Sequence, residues 1–540
     1  MKNIEIPIEN KTKTYRFFEI LPGTMSWLIL FLPIILSVIN PSLAAYFIIM
    51  YMVTWLLRAA VMSFRIFQAY HKMQWRQGLN WQKMLSDIEN FDKAICELHN
   101  KKRDRFERWH YENLLSYKIS DQEKVKPSDL FHAIIIAIYN ESIEIVEPTV
   151  KAVINSNYDT SKIILYLAYE ERGGAQTEEV ASRLKSKYGD KFFIMKTTKH
   201  PKDIPGEVIG KGGNITYAGL DLKKEIEKRN IDPINVLVTT LDADNQPHEN
   251  YLASIAYAYL TEENRQYKSF QPIPMYTNNI WDAPAPMRLI AVGSSFWWSI
   301  QSVRPHLLRN FSSHAQGLRA LIDTDFWSTR TIVEDGHQFW RTYFRYDGKH
   351  EVIPTFVPIY QDAVLSDTYV RTFKAQFVQL RRWAWGATDV AYVATKSMEE
   401  ACNAPAWDRI FKFFRLLDSH VSWATAPLIL AGAAWAPILF SPVGRESIVA
   451  HQLPSIASFL QTVALFGIPA MIYLSFQMLP PRPKHYKRRR SLLMLVQWIL
   501  TPVVSILYGA FSALYSQTRL MFGKYYGQFD VTKKVKKGTS

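Results

Sequence analysis

Apolar residues are unevenly spread along the 540-residue chain, and their spacing divides it into parts. Residues 25–39 and 43–57 are apolar on all faces, and a weaker run continues to Phe64. A bilayer core takes about 20 residues of helix, so these runs predict a tight helical hairpin turned at Asn40-Pro41. Apolar runs return at 421–440 and 453–479 and predict two more crossings. Residues 67–118 carry helical spacing, as in Trp81, Leu85, Ile88 and Ile95, and predict a juxtamembrane helical segment. From residue 128 the texture changes. Short apolar runs at 131–139 (FHAIIIAIY), 163–169 (IILYLAY), 192–195 and 236–240 (VLVTT) read as buried parallel strands. Helical stretches at 145–156, 178–188 and 214–227 separate them. Strands alternating with helices predict an α/β domain with a mostly parallel sheet, whose ligands bind at the carboxyl ends of the strands.

Composition narrows the class. With 48% hydrophobic and 14% aromatic residues the chain is too apolar to be disordered. A mean hydropathy of −0.11 therefore averages unlike parts. Cys96 and Cys402 are its two cysteines, which excludes a disulfide scaffold and a zinc-type cysteine cluster. The net charge of +15 lies mostly beside the apolar runs, at 58–108, 482–490 and 519–537, so it reports topology and lipid headgroups rather than nucleic acid. Residues 1–20 lack the features of a secretory signal. Lys and Arg stay on the cytoplasmic side. The protein is thus expected to be a multi-pass protein of the cytoplasmic membrane with its central domain in the cytoplasm. The stretch 492–515 is long enough to span, yet both flanks are basic and it carries Pro502, Ser505, Tyr508 and Gly509. It is expected to be interfacial or re-entrant rather than a fifth crossing. The parts are a tail and hairpin (1–66), a juxtamembrane segment (67–127), a cytoplasmic domain (128–395), an interface helix with two crossings (396–480), and a basic loop, helix and tail (481–540).

Three short patterns carry candidate chemistry. Asp242-Ala243-Asp244 follows the strand 236–240; it is either a turn or a pair of hard-oxygen ligands for Mg²⁺ or Mn²⁺ carrying a nucleotide diphosphate. Glu334-Asp335 opens a helical pattern, where a carboxylate serves either as an N-cap or as a general base. Gln379, Arg382 and Trp383 share one helical face, fit either for an amphipathic interface or for a sugar and a phosphate.

Together with Tyr139-Asn140-Glu141 and Gly210-Lys211-Gly212-Gly213-Asn214, these patterns over residues 129–394 resemble the membrane-bound family 2 glycosyltransferases of the cellulose synthase and hyaluronan synthase type. Phe529-Asp530-Val531-Thr532-Lys533-Lys534 is similar to the gating-loop motif of bacterial cellulose synthase, without its final Gly. The resemblance implies a GT-A-type nucleotide-sugar-binding domain and an inverting transfer to a glycan or lipid-linked acceptor, extending to polysaccharide synthesis. It implies that Tyr139, Asn140 and Glu141 line the nucleotide pocket. Lys211 would lie near the diphosphate or uracil, and Asp242 and Asp244 would hold nucleotide-sugar and metal, with Asp244 the direct ligand. Asp335, beside Glu334, would be the catalytic base, and Gln379, Arg382 and Trp383 would hold the acceptor end and the pyrophosphate. The donor would be a UDP- or GDP-sugar, and oligomers or accessory proteins would complete a channel. Glu170 stands where the family has Asp, which leaves nucleotide preference open, and His337 is expected to support the site rather than bind metal. The rivals are single transfer to a lipid carrier and a non-catalytic membrane assembly protein on a decayed fold.

Overall fold

The structure is a computed structural model that describes residues 3–7 and 11–527. Helices α1 (Lys13–Ile39) and α2 (Pro41–Gln77) form the hairpin. Asn40 ends the first helix and caps the second, its Oδ1 accepting from the Ser42 N–H at 2.9 Å, with Pro41 at the first helical position. Both helices outrun the expectation. α1 starts at Lys13 because its polar turns are internally satisfied: buried Glu19 accepts from Lys11 at 2.7 Å and Arg16 at 3.0 Å. α2 continues without a break through residues 67–77, which the sequence pattern assigned to the juxtamembrane segment. Three short helices follow, Trp81–Glu89, Phe91–His99 and Arg105–Ile119, and pack Trp81, Ile88 and Tyr117 into the core beneath the sheet.

The sheet has eight strands: β1 (Phe131–Ile138), β2 (Ile163–Glu170), β3 (Ile194–His200), β4 (Val236–Asp242), β5 (Gln246–Pro247), β6 (Lys268–Met275), β7 (Ala315–Gly317) and β8 (Glu351–Tyr360). Their order is β3-β2-β1-β4-β7-β6-β8-β5. β1 to β4 are mutually parallel and β6 is parallel to β8, while β7 runs antiparallel to β4 and β6, and β5 to β8. This is the expected α/β class with a mostly parallel sheet. Alternation fills both faces: Ile134 and Ile136 join one core with Leu252 and Tyr257, while Ala133 and Ile135 join the other with Ile215 and Leu222. Two of the expected strands shift. β3 starts at Ile194 and reaches His200, and β4 extends to Asp242, so the first candidate carboxylate ends a strand instead of following it. β5 to β8 were not anticipated. β6 and β8 carry prolines that read as breakers, and β5 and β7 have only two and three residues.

Among the described residues, five helices are long and apolar enough to cross a membrane: Lys13–Ile39, Pro41–Gln77, Ala406–Phe440, Ile448–Gln477 and Arg489–Met521. They turn large apolar side chains outward, with Val38 65%, Met50 71%, Phe466 80% and Ile499 77% exposed. Such an outward apolar belt fits lipid as its surroundings. The last helix, expected to be interfacial or re-entrant, is as long and apolar as the other four. It runs 33 residues, accommodating Pro502 at the start of a turn and absorbing Ser505–Ala510 as a π-helical turn. It is pinned to α1 by Ser26 Oγ donating to Gln517 Oε1 at 2.6 Å and Trp27 Nε1 donating to Thr518 Oγ1 at 3.0 Å. Length and composition therefore no longer separate it from the other four. The gating-loop-like stretch at 529–534 lies outside the described residues.

Candidate functional site

The site is built at the carboxyl ends of the parallel strands. β1 ends before Tyr139, β2 ends in Glu170, and β4 ends in Asp242, paired across from Ala137 of β1. Lys211 opens the helix Lys211–Lys228. The first glycine after it is forced by close approach. A Cβ on Gly212 would lie 2.3 Å from the Ser328 carbonyl oxygen and 3.3 Å from Glu334 Cβ, so only glycine lets this helix start abut the Ser328 loop and Glu334. Asn214 then ties the helix to β2 by donating to the Ala168 carbonyl at 2.9 Å.

Lys211 is the hub. Its buried ammonium lies 2.9 Å from Asp242 Oδ1 and 3.4 Å from Asp335 Oδ2. Burial alone would lower its pKa, but Asp242, Asp335 and Glu334 outweigh burial and raise it, so the ammonium is fixed as charged. Asp242 also accepts from Ser312 Oγ at 2.7 Å. Asp244 is buried, and its Oδ2 accepts from the Asp362 backbone N–H at 2.9 Å. Glu334 and Asp335 form the first turn of the helix Glu334–Arg345, and Val333 holds the cap position, so the capping alternative does not describe Asp335. The Asp335 carboxylate is 3.9 Å from His314 Nδ1. His314 is neutral: burial lowers its pKa, Nδ1–H donates to the Phe311 carbonyl at 2.9 Å, and Nε2 accepts from Trp327 at 3.4 Å. Burial, then the charge of Asp335, raises the Glu334 carboxyl to about 8.

On the nucleotide side, Glu141 turns back on its own loop, accepting from the Tyr139 N–H at 2.8 Å and the Asn140 N–H at 3.2 Å. Buried Glu170 pairs with Arg172 at 3.0 Å and His200 at 3.4 Å, and His200 in turn meets Glu207 at 3.0 Å. Burial opposes the His200 charge, but its two glutamates raise it to about 9. His337 is fully buried and bonds Asp389 at 2.7 Å, joining the helix of Asp335 to the helix Asp389–Met398.

Gln379, Arg382 and Trp383 lie on the helix Tyr369–Ala384, whose other side is held by Ser516 Oγ donating to the Arg381 carbonyl at 2.6 Å. Trp383 sits 6.1 Å from both Tyr276 and Phe311, and Phe311 lies 4.1 Å from Trp298 (ring centroids), which makes an aromatic wall beside Asp244. Of the sequence-derived residues, Tyr139, Glu141, Glu170, Lys211, Asp242, Asp244, Glu334, Asp335, Gln379, Arg382 and Trp383 line one cavity of about 2420 Å³; Asn140 is exposed and does not. The cavity runs on between α2 and the three C-terminal membrane-type helices, past Thr54, Ser419, Gln461 and Val504. Sequence reasoning missed Tyr276, Ser312, His314 and Asp362. The Phe296-Trp297-Trp298 run on the helix Ala285–Ser302 was the one available signal for an aromatic wall.

No protein-family model matches the chain, and no curated protein matches it. Among solved structures, it is similar to mannosyltransferase PcManGT from Pyrobaculum calidifontis in complex with GDP-Man and Mn²⁺, at 13% identity over 83% of this chain and 99% of that one, with a TM-score of 0.37. It is also similar to S. aureus TarS 1–349 in complex with UDP-GlcNAc (12% identity, 76% and 100% covered, TM-score 0.32). A third is GalNAc-T7 with UDP, GalNAc and Mn²⁺ (11%, 54% and 58% covered, TM-score 0.32). At such scores the superpositions are loose, and the fold rests on the strand order described above.

Proposed function

We propose that this chain is a membrane-embedded, inverting glycosyltransferase with a GT-A-type domain. It moves a sugar from a nucleotide-sugar to a glycan or lipid-linked acceptor at the membrane. The observation that carries this reading is the bridge made by Lys211 between Asp242, 2.9 Å away, and Asp335, 3.4 Å away, inside one cavity with Glu170, Arg382 and Trp383. One ammonium width thus separates the carboxylate that would face the donor from the one that would face the acceptor.

A divalent cation fits the donor set in kind. Asp242 and Asp244 offer hard oxygens, and among the described residues no group of three or more His, Cys, Asp or Glu could hold a metal alone. Mg²⁺ or Mn²⁺ here would draw the rest of its shell from water and the donor diphosphate, and would supply Lewis-acid neutralisation of the leaving group. The chain's own residues do the rest. Lys211 and Arg382 place fixed positive charge along the diphosphate. The Tyr276, Phe311 and Trp383 rings give the sugar a flat surface. Asp335 takes the proton of an acceptor hydroxyl as its oxygen attacks the anomeric carbon on the side opposite the leaving group. A nucleoside diphosphate leaves without protonation, so one base suffices. The continuation of the cavity between the membrane-type helices supports an acceptor that enters or leaves by that route, and extension to a polymer is the longer form of the same chemistry.

The test is a donor screen on purified protein with UDP- and GDP-sugars in Mg²⁺ or Mn²⁺, followed by NMR of the product anomer. Transfer with inversion is the expected result. No turnover with any donor, or retention at the anomeric carbon, would sink the reading.

A further inference from the structure

Toward the membrane, the cavity changes character. Six cationic side chains line it there: Arg58 and Arg65 from α2, Arg304 and Arg309 from the segment after the helix Ala285–Ser302, and Lys412 and Arg415 from the helix Ala406–Gly432. Few acids answer them. Asp418 is shared, 3.5 Å from Arg58 and 3.0 Å from Arg415, and Lys412 pairs with Asp408 on its own helix. Among the described residues, Arg65, Arg304 and Arg309 have no ion-pair partner, and Arg304 Nε is buried with nothing accepting from it. Burial, then the like charges of Arg65 and Arg415, pulls the Arg304 guanidinium down to about 10; it stays charged at neutral pH at the expense of repulsion. Three chain segments thus bring guanidinium groups together without the anions that would balance them.

Two features say what the balancing anion is attached to. First, the segment carrying Arg304 and Arg309 leads directly to the reaction centre. Arg309 lies over the ring of Trp340, on the helix whose first turn carries Asp335, at 5.7 Å, and Ser312 Oγ donates to Asp242. From Arg309 to Ser312 the chain spans at most about 11 Å. Second, the walls beyond the cluster are mainly apolar, with Met62, Leu430, Leu465, Ile468, Ile472 and Val504, interrupted by the small polar groups of Thr54, Ser458, Gln461 and Thr462. A cationic collar between a catalytic cleft and an apolar channel suits an anionic head on a hydrocarbon chain.

We propose that this half of the cavity binds a lipid-linked sugar phosphate, its phosphate held by Arg65, Arg304 and Arg415 and its chain among those apolar side chains, so that the sugar it carries presents a hydroxyl to Asp335. The acceptor role rests on the transferase reading above; the anion site does not. In the transfer, Asp335 takes the hydroxyl proton, the hydroxyl oxygen bonds to the anomeric carbon, and the carbon–oxygen bond to the nucleoside diphosphate breaks with its electron pair.

The full chain in phosphatidylcholine nanodiscs, titrated with a long-chain polyprenyl phosphate and with the matching uncharged polyprenol, tests the proposal. The phosphate is expected to bind at least about tenfold tighter than the alcohol, and the double variant Arg304→Gln/Arg415→Gln to lose most of that preference. Arg304→Lys, which keeps the charge, should bind within about threefold of the parent and guards against a folding defect. Equal binding of phosphate and alcohol, or unchanged binding in the double variant, overturns the site. Complete displacement of the probe when phosphatidylglycerol replaces part of the bilayer would assign the phosphate to an ordinary headgroup and overturn the acceptor role. Preferential binding of a neutral oligosaccharide over the polyprenyl phosphate would also overturn it. Loss of nucleotide-sugar turnover alongside intact phosphate binding would sink the transferase reading and leave the site standing.

Discussion

The two ends of the cavity are opposite in charge balance. At the strand ends, one ammonium, Lys211, faces Asp242 and Asp335 with Glu334 behind them. At the membrane end, Arg65, Arg304 and Arg309 have no ion-pair partner among the described residues, while Asp418 serves two arginines. Carboxylates in excess suit ligands that bring positive charge or a proton: a cation-carried diphosphate and a hydroxyl. Guanidinium groups in excess suit an anion. Neither imbalance serves stability, since desolvated charge without a full set of partners is costly. On the proposed reading, the difference orders the ligands along the cavity, donor at the strand ends and anionic acceptor toward the membrane. It also states which charge change should hurt at each end.

The strand end breaks most completely at Asp335. Asp335→Asn keeps size and shape but removes the proposed base, so turnover is expected to fall by about 10²–10⁴. Nucleotide-sugar binding by calorimetry should stay within about twofold of the parent, because the donor carboxylates are untouched. Near-parental turnover would remove Asp335 from the mechanism. Asp244→Ala makes the complementary break: metal-dependent nucleotide binding should be lost, and an unchanged titration would free Asp244 of that role.

The next effect is steric. Gly212→Ala would put a methyl 2.3 Å from a backbone carbonyl, and neither the helix start nor the Ser328 loop is a flexible side chain. The expected destabilisation is about 1–3 kcal/mol. Relief by moving the helix start away from Glu334 would carry Lys211 off Asp335, so kcat should fall as well. Thermal unfolding with steady-state kinetics checks both, and a variant as stable and active as the parent would show that the Lys211 bridge tolerates displacement.

What the chain's letters could reveal follows the same division. β1, β2 and β4 are legible because both faces are buried and their residues are nearly all apolar. β6 and β8 are buried too, but their prolines imitate turns. Asp242, Asp244 and Asp335 could be found because each sits at the boundary of a regular element, where a carboxylate has few structural uses. Ser312 and His314 could not. They come from an irregular segment that reaches the site only because β7 inserts antiparallel between β4 and β6. The basic collar was half legible. Arg58 and Arg65 read as topology signals, but nothing local tells that they meet Arg304 and Arg415 from far along the chain. The same holds for the tail before α1: Glu5 pairs with Arg341 on the helix whose first turn carries Asp335, and Tyr392 donates to the Ile4 carbonyl at 2.7 Å.

Glu334 sharpens the strand end through pH. Its carboxyl is raised to about 8 by burial first and by Asp335 second, with Lys211 opposing, against an ordinary value of 4.5. Between these values the folded chain keeps a proton that the unfolded chain has released, so Glu334 lowers stability progressively as pH rises through that window and adds no further loss above it. Deprotonation also sets a second negative charge beside the base. The kcat/KM profile of the parent should therefore bend near pH 8, and Glu334→Gln, which stays neutral, should lack that limb. The parent should also lose stability relative to the variant between about pH 5 and 8. A limb unchanged in Glu334→Gln belongs to another group.

The smallest effect belongs to the other end. Asp418 is the carboxylate that Arg58 and Arg415 share, and its side chain is 37% exposed. A pair this open is worth about 0–1 kcal/mol, so Asp418→Asn should leave the unfolding midpoint nearly unchanged. It does, however, remove the acid that competes with a ligand for Arg415. If the membrane end holds an anion, polyprenyl phosphate should bind up to about fivefold tighter in the variant, whereas a structural pairing alone predicts no change or weaker binding. Added salt should shrink the gain, because a half-exposed site is screened. Neutralising an acid is expected to weaken ligand binding at the strand end, as with Asp244, and to strengthen it here; weakening at both ends would mean that the collar is a structural ion cluster.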